Sequence, residues 1–501
     1  MKKSISFIMA LACMMVSAQN INDVLRYSSE NLQGTARFQG MGGAFGALGG
    51  DLSALNINPA GSAVFNYGQI TVSGTNYNRD NDATYFGTTN NRTLNSLELN
   101  QLGAVFVFKN TDDNSDWKKF SLAVNYDLVQ NFDDAFFVSG NSTQGIDNYF
   151  LSFAQGVPFG QLTLRDGEFI EDAYLDIGSS LGFGAQQAFL GYFGGVIDPV
   201  AQTDENTAYI SNAQYSTVNQ QFFQSTSGYN SKITLNMASQ FQDVLYLGAS
   251  LNFHTVEFNK LTRLTERGFN TDSEIQFINF DNFLHTEGNG FSFSLGAIAK
   301  LNDVVRLGGS YQSPTWYRLE DDTSQRINSD LADSDINFID FNVINLFERY
   351  TIKTPGKLTG SLGLVFGKEG LLSVDYGYQD MSQAELRPTT DPDFSSENDF
   401  IANTLGGVSS VRVGGEYRIE QLSLRAGYRY EQSPYNDGNT IGDLNAYSAG
   451  IGYSFGSNRI DFAYSRSEQD FNAQLFDAGL PIPSRIANTL NNVTLGYSFS
   501  F

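Results

Sequence analysis

The side chains best suited to specific recognition are arginines in short segments where polar and apolar residues alternate. In a β-strand, alternate side chains point to opposite faces. Five arginines would then share the polar face: Arg306, Arg412, Arg418, Arg425 and Arg429. A guanidinium group presents a planar fork of N–H donors that fits a carboxylate. These arginines are therefore the predicted binding groups for an acidic ligand.

Acidic residues on the same predicted face offer the arginines a different partner. They are Asp127, Asp375, Glu416 and Asp461. Ion pairs between neighbouring strands therefore compete with ligand binding as the reason for the arginines. No single carboxylate-binding residue stands out from the pattern.

Histidine chemistry is sparse, because the chain contains only His254 and His285. Strand parity puts His254 on the polar face, as a hydrogen-bonded interior or ligand-binding residue, a general base or a haem ligand. His285 falls in a predicted external loop. Neither a histidine cluster for a metal or haem nor a Ser–His–acid set is apparent. We predict no enzyme activity, no catalytic residue, no metal and no cofactor.

Composition favours a membrane barrel. The chain has 501 residues, with 49 Gly, 41 Phe, 25 Tyr and only 10 Pro. Aromatic and glycine residues in short alternating runs are typical of strands with lipid on one face and a wet interior on the other. A net charge of −24 argues against nucleic-acid binding, which needs a basic surface.

The period-two pattern predicts an all-β fold, an antiparallel transmembrane β-barrel of about 14 strands. The strands lie near 68–78, 99–109, 119–130, 229–239, 244–258, 290–300, 304–316, 355–367, 371–379, 409–418, 421–431, 443–455, 458–466 and 491–501. The second of them is apolar on both faces, which indicates packing against something inside the barrel.

Short turns alternate with long polar connections, as in barrels with periplasmic turns and external loops. The predicted long connections are 79–98, 131–228, 259–289, 317–354, 380–408, 432–442 and 467–490. The longest, 131–228, contains an apolar stretch at 177–200 that predicts one or two short helices at the barrel mouth. These helices either expose an aromatic surface that captures an apolar molecule or form a lid over their own core.

The last strand ends in alternating aromatic residues. Val493, Leu495 and Tyr497 share the apolar face with Phe499 and Phe501. Gly496, Phe499 and Phe501 resemble the carboxy-terminal signal of bacterial outer-membrane barrels. The resemblance implies that the barrel-assembly machinery is a partner during insertion and that the protein lies in the outer membrane.

The amino terminus predicts export. Lys2 and Lys3 precede a short apolar run, and Val16-Ser17-Ala18 is a small-residue cleavage site, so residues 1–18 are a predicted signal peptide. The only cysteine, Cys13, lies within it. Acylation of Cys13 is the alternative, although it would leave apolar residues directly after the lipid anchor.

Residues 19–66 lack strand alternation and are rich in small residues. They include Asn58, Pro59, Ala60 and Gly61, and Asp51 or Ser53 is a predicted helix cap. The glycines at 40 and 42 are followed by Phe45, which breaks the dinucleotide-binding spacing. With this segment the chain resembles the FadL-type family of outer-membrane transporters of long-chain fatty acids and other hydrophobic compounds, some of them described as haemin receptors.

The resemblance implies a hatch, residues 19–66, folded inside a barrel that comprises residues 67–501. It also implies that a ligand from outside binds in the lumen and leaves sideways into the lipid at an inward kink of the third strand. Asn125, Asp127 and Asn131 are the predicted residues of this lateral gate, or are ordinary lumen residues.

Three functions follow from these features. The first is passive uptake of a hydrophobic, fatty-acid-like molecule into outer-membrane lipid. The second is a role as a partner in protein secretion or surface attachment. The third is a general porin, which a plugged lumen disfavours.

Overall fold

The computed structural model describes residues 19–112 and 114–501, so the predicted signal peptide lies outside the described residues. The chain forms one closed barrel of fourteen strands. The uninterrupted strands are β1 Gln69–Tyr85, β2 Thr88–Lys109, β4 Val218–Phe241, β5 Leu245–Arg267, β6 Phe277–Lys300, β10 Gly407–Ile419, β11 Leu422–Glu431, β12 Leu444–Phe455, β13 Asn458–Ala473 and β14 Ser484–Ser500.

Four strands are interrupted. They are β3 Trp117–Asn131 and Asp134–Ser142, β7 Val305–Gln312 and Trp316–Ser329, β8 Tyr350–Lys353 and Lys357–Phe366, and β9 Gly370–Asp380 and Glu385–Arg387. All neighbours in the barrel pair antiparallel, and β1 pairs with β14 from Gln69↔Ser500 to Thr84↔Arg485, which closes the sheet. The predicted fold and the position of every predicted strand are confirmed.

The alternation of side chains also agrees with the prediction. In β14, Val493, Leu495 and Tyr497 are exposed on the outside, whereas Asn492 and Thr494 are buried inside. An exposed apolar band around a closed sheet is the surface that lipid covers, at about 25 cal/mol for each Å² removed from water.

Several strands extend further than the sequence predicts. The predicted connection 79–98 is mostly strand, with a tight turn at Phe86–Gly87, and the connection after β5 is reduced to 268–276. Outside the membrane both faces of a strand meet water, so the apolar alternation disappears while the backbone pairing continues. Sequence alternation therefore reports only the lipid-spanning part of each strand.

The longest connection, 143–217, forms a cap at the barrel mouth. It holds three helices, α3 Asp147–Ala154, α4 Ile170–Leu181 and α5 Phe183–Phe193, with a short ladder of Ile197–Pro199 on Tyr209–Ser211. The cap side chains Phe150, Phe189 and Leu190 are fully buried in one cluster. Of the two predicted alternatives, the structure therefore favours a lid that covers its own core.

Before β1, residues 19–66 form what we call the N-terminal segment. It contains helices α1 Ile21–Ser28 and α2 Ala36–Gly40 and the 3₁₀-helices Leu52–Asn56 and Pro59–Val64. Asp51 caps the first 3₁₀-helix by accepting the Ser53 N–H at 3.0 Å. A further helix, α6 Pro392–Thr404, follows β9. Within 19–112 and 114–501, no helix has the length and apolarity to cross a membrane.

The N-terminal segment packs against the inner face of the barrel. Leu52, Leu55 and Phe65 cluster with Val105 of β2 and Ala123 of β3. This contact explains why the second predicted strand is apolar on both faces. Nearer the cap, α1 packs its apolar residues against strands on the opposite side of the lumen.

Candidate functional site

The wall of the barrel has a gap between β2 and β3. Pairing between the two strands runs from Lys109↔Lys119 to Gln101↔Asp127 and stops there. Residues 88–100 of β2 continue with β1 as their paired neighbour, while β3 shifts register on β4 between Leu128 and Gln130 and then breaks. An edge of β2 is therefore left without strand pairing.

An aromatic contact draws β3 inward where it breaks. The ring of Phe132 lies 6.2 Å from that of Tyr27 on α1 and 5.3 Å from that of Phe258 on β5, with both pairs edge-to-face. Beyond the break, Asp134 accepts hydrogen bonds from Arg79 at 3.2 Å and from Asn81. The second half of β3 thus lies under the β1–β2 hairpin instead of beside it.

The three predicted gate residues lie at this gap. Gln101 Nε2 donates to Asn125 Oδ1 at 2.7 Å, and Asn125 Nδ2 donates to Asp127 Oδ2 at 2.6 Å. Both residues belong to the last paired part of the β2–β3 ladder. Asn131 lies beyond it and reaches across the gap, because its Nδ2 donates to Ser96 Oγ at 3.0 Å.

A cavity of about 40 Å³ lies behind the gap. Its lining includes Asp127, Leu128 and Val129 of β3, the cations Lys232 and Arg412, and residues 30–33 of the N-terminal segment. This volume admits water but not a hydrocarbon chain. A larger ligand therefore requires the N-terminal segment or β3 to move.

Three cations surround one acid beside this cavity. Lys357 Nζ lies 3.3 Å from Glu30 Oε2, and Lys232 and Arg412 are close enough to act on the same carboxylate. Burial alone would raise the pKa of Glu30, but the charges of Lys357, Lys232 and Arg412 outweigh it and lower the pKa to about 2. The three cations thus keep Glu30 ionised.

The predicted arginines all face the lumen, but most have protein partners. Arg306 donates to the Leu48 carbonyl at 3.1 Å, and Arg429 contacts the Glu431 carboxylate at 2.8 Å. Arg418 and Arg425 both bind Glu416. Arg412 lies opposite Asp375 on β9 and Arg429 on β11, and no salt bridge joins it to a carboxylate among the described residues. A buried Nε without a hydrogen-bond partner is common to Arg306, Arg412 and Arg429.

Glu416 ties the N-terminal segment to the wall. Its fully buried carboxylate accepts a hydrogen bond from Arg37 Nε at 3.0 Å and one from Arg425 Nε at 2.7 Å. Arg425 also contacts Asp461 at 2.8 Å. The sequence analysis left open whether the arginines pair with acids of the barrel or bind a ligand. At Arg418 and Arg425 the partner is an acid of the barrel, Glu416.

His254 is buried in the lumen and hydrogen-bonded. Its ring nitrogens lie 3.4 Å from Asn230 Oδ1, 3.2 Å from Tyr317 Oη and 3.4 Å from Ser292 Oγ. The prediction that His285 lies in an external loop is wrong. It is a half-buried residue of β6 whose ring lies 2.8 Å from Asn259, because β5 and β6 extend beyond the membrane.

The Asn58–Gly61 motif docks on the wall. Asn58 Nδ2 donates to the carbonyls of Gly46 at 2.7 Å and Ala297 at 3.0 Å. Pro59, Ala60 and Gly61 are the first three residues of a 3₁₀-helix, and the Ala60 N–H donates to Asn58 Oδ1. A Cβ at Gly296 of β6 would lie 2.0 Å from Asn58 Oδ1. Glycine in the strand thus allows the motif to approach the wall.

The terminal residues lie as predicted. Gly496 faces the lumen against Ala36, and Phe499 and Phe501 point outward with ring centroids 6.3 Å apart. Phe501 also packs edge-to-face on Phe106 of β2 at 6.0 Å. Their recognition by the assembly machinery stays a prediction.

The sequence reasoning missed Lys232, Lys357 and Glu30. Strand alternation could have predicted that Lys232 faces the lumen, because Ile233 and Leu235 face outward while Lys232 and Thr234 are buried inside. Glu30 carries no such signal, because its position depends on how the N-terminal segment crosses the lumen. Within the described part of the chain, no group of three or more His, Cys, Asp or Glu side chains is placed to hold a metal ion.

A closed fourteen-strand barrel with an exposed apolar band and a helical segment in its lumen is the architecture of a transmembrane β-barrel protein. A model of the family described as outer membrane protein transport protein (OMPP1/FadL/TodX) matches residues 206–478. The chain belongs to this family, whose members are transport channels and not enzymes.

One solved structure shows the same fold at low sequence identity. A Pseudomonas aeruginosa FadL homologue is 14% identical, with 94% of this chain and 99% of that chain covered and a TM-score of 0.57. The Ralstonia pickettii toluene transporter TbuX and the Pseudomonas putida toluene transporter TodX are also 14% identical at the same coverage, with TM-scores of 0.49. A search of curated protein sequences gives no match.

Proposed function

We propose that this protein takes up hydrophobic, fatty-acid-like molecules passively across the outer membrane. The ligand is captured at the cap, binds in the lumen and leaves sideways into the lipid through the gap between β2 and β3. Family membership supports the transport of hydrophobic compounds. The choice of ligand and the lateral exit are our inferences from the gap.

The gap is the observation that carries the proposal. Unpaired backbone facing hydrocarbon is costly, yet the unpaired edge of β2 reaches down to Asn100 and includes the exposed apolar residues Leu97 and Leu99. The side chains of Asn131 and Ser96 bridge it. The cavity lined by Val129 adjoins the same bend, so it lies beside the part of the wall where β2 and β3 are not paired.

Lateral exit also avoids a costly path through the N-terminal segment. That segment is held to the wall by Arg37–Glu416 and by the Asn58 motif. An apolar ligand that passed on to the periplasm would have to displace it and then expose apolar surface to water, at about 25 cal/mol per Å². Release into lipid requires neither step.

The charges beside the cavity suit an anionic head group. Lys232, Lys357 and Arg412 all act on Glu30, and Lys357 and Arg412 also act on the Glu431 carboxylate, which Arg429 already contacts at 2.8 Å. A carboxylate that enters the cavity would replace Glu30 as the partner of Arg412, whose guanidinium fits it geometrically. We therefore assign the head-group role to Arg412 rather than to the paired arginines or His254.

A covalent bridge across the gap tests lateral exit. Ser96→Cys with Asn131→Cys places thiols where a hydrogen bond now joins the two side chains. In the oxidised protein, uptake of a radiolabelled fatty acid by cells should be abolished, while binding by purified protein persists. Reduction should restore uptake.

Thr84→Cys with Thr89→Cys is the matched control. These residues lie directly opposite in the β1–β2 ladder, with their hydroxyls 2.9 Å apart. Oxidation of this pair should leave uptake unchanged. Full uptake with the Ser96–Asn131 bridge completely formed would overturn lateral exit at this gap.

The alternatives predict other outcomes. A porin needs a continuous aqueous channel, whereas two cavities beside the N-terminal segment measure about 40 and 60 Å³. If this protein acts in secretion, it should co-purify with other secretion proteins in a stable complex from native membranes. Deletion of its gene should then stop export of surface proteins without changing fatty-acid uptake.

A further inference from the structure

The first described residues are buried among carboxylates. Gln19 is 5% exposed, and its Nε2 donates to Asp321 Oδ2 of β7 at 2.9 Å. The Asn20 N–H donates to Asp23 Oδ2 at 2.9 Å, and the Ile21 N–H donates to Glu397 Oε1 of α6 at 2.7 Å. The contact with Asp23 is an ordinary helix cap, whereas Asp321 and Glu397 come from other elements. Asp321 Oδ1 also accepts hydrogen bonds from Thr286 at 2.7 Å and Tyr350 at 3.3 Å, which leaves its charge without a cation within the described part of the chain.

These carboxylates are only partly neutralised by nearby cations. Arg26 pairs with Asp23 at 2.5 Å. Lys260 of β5 interacts electrostatically with Asp23 and Asp477. Burial raises the pKa of Glu397, and the charges of Asp23 and Asp477 raise it further despite the Ile21 N–H. One more cation near the start of α1 would let these acids ionise together.

Signal cleavage would supply that cation. Hydrolysis of the Ala18–Gln19 peptide bond by a signal peptidase leaves a carboxylate on Ala18 and an α-ammonium on Gln19. Consecutive backbone nitrogens are less than about 4 Å apart. The new ammonium therefore lies within about 7 Å of the Asp23 carboxylate, beside a side chain that already contacts Asp321.

We propose that Asp23, Asp321 and Glu397 form a binding seat for the α-ammonium group of the mature chain, and that cleavage after Ala18 thereby fixes α1 in the upper lumen. A precursor cannot make this contact, because its Gln19 nitrogen is an uncharged amide. The seat would hold Val24 and Leu25 in the apolar cluster below the cap. The proposal does not depend on what the channel transports.

The test measures the α-amine itself. Purified full-length mature protein is labelled with acetic anhydride across a pH series, and the extent of acetylation of Gln19 is read by peptide mass spectrometry. The apparent pKa of the amine should lie at least one unit above the ordinary value of about 7.7–8.0. Denatured protein should show the ordinary value.

Two variants test the seat and one serves as a control. Glu397→Gln and Asp321→Asn should each lower the apparent pKa of the amine and speed its labelling in the folded barrel. Asp399→Asn removes the same charge from the exposed face of α6 and should change neither. Heat-modifiable mobility shows whether each variant retains a folded barrel.

Three results would overturn the proposal. They are an ordinary pKa for the amine in the folded wild-type protein, a mature chain that begins elsewhere than Gln19, and a Gln19 that has cyclised and carries no ammonium. The wild-type titration decides the matter even if a variant fails to fold. Loss of transport in the gap experiment would leave this result unaffected.

Discussion

At the scale of single residues, charge pairing separates structural arginines from the ligand candidate. Arg418 and Arg425 share Glu416, whereas Arg412 faces a cavity and another cation, Arg429. Glu30, Glu431 and Asp375 act on Arg412 electrostatically, but none of them forms a salt bridge with it among the described residues. Such an arrangement is typical of a site that waits for an anion.

Arg412→Gln should weaken binding of a fatty acid by roughly tenfold to a hundredfold, because a hydrogen bond to a charged group contributes about 1.5–3 kcal/mol. Glu30→Gln should strengthen it, since the three cations would lose their internal partner. Titration of purified protein with a fluorescent fatty acid measures both changes. The exposed Arg466→Gln is the control, and equal weakening for an uncharged hydrophobic probe would contradict a head-group role.

Glu416→Gln should loosen the N-terminal segment more than Arg37→Gln, because several arginines share this one carboxylate. Removing one partner of a buried ion pair costs about 3–5 kcal/mol. We expect cells with Glu416→Gln to take up bulky antibiotics faster, as measured by growth inhibition. Glu468→Gln, in an exposed pair with Arg466, should have no effect.

At the scale of elements, the gap arises because the two halves of β3 pair with different sets of strands. Its first half completes the wall between β2 and β4, and its second half pairs with β4 alone. The Tyr27–Phe132 contact joins the bend to α1. Movement of α1 on ligand binding would therefore change the gap directly, without a longer path through the barrel.

The terminal strand carries a prediction of its own. Phe501→Ala, or deletion of Phe501, should reduce insertion into the outer membrane while export continues, because the exposed aromatic end is the feature that the assembly machinery would read. The measurement is the amount of heat-modifiable barrel in outer-membrane fractions. Exposed Phe86→Ala, in the β1–β2 turn, is the control, and normal insertion of both Phe501 variants would contradict the prediction.

At the scale of the whole molecule, the cap covers the barrel mouth and the N-terminal segment occupies the lumen beneath it. The cap buries its own apolar residues, and the N-terminal segment extends from α1 below the cap to the start of β1. The chain therefore closes its own lumen. Transport requires local movements rather than an open pore.

The orientation is testable on intact cells. Epitopes inserted at Asn206 and at Gly438 lie in exposed turns on the cap side and should be accessible to antibody. An epitope at Ser457, between β12 and β13, should become accessible only after the outer membrane is permeabilised. The reverse pattern would contradict the orientation.

Much of the fold follows from local sequence patterns. The alternation at Val493–Phe501 and in the other strands determines which side chains face lipid, because strand geometry alone sets the period. The tight turns are also local, because each lies where the alternation of two neighbouring strands is interrupted by a few residues. Glu420, in the predicted turn between β10 and β11, has a positive φ. The family resemblance rested above all on the motif Asn58–Gly61, together with the strand count and the position of the N-terminal segment, and the contacts of Asn58 with the wall account for the motif's composition.

Tertiary structure alone decided the site. Where β2 loses its partner depends on the bend of β3 against α1. Which arginine lacks a direct carboxylate partner depends on contacts between elements, because Glu416 of β10 binds Arg37 of α2 and Arg425 of β11, whereas Arg412 of the same strand acts on Glu30 of the N-terminal segment. The burial of Gln19 beside Asp321 likewise joins residues separated by 302 positions. The sequence by itself determined the faces of the strands, because that information is local; closure of the barrel around the N-terminal segment determined the contacts, because distant charges meet only once the lumen has formed.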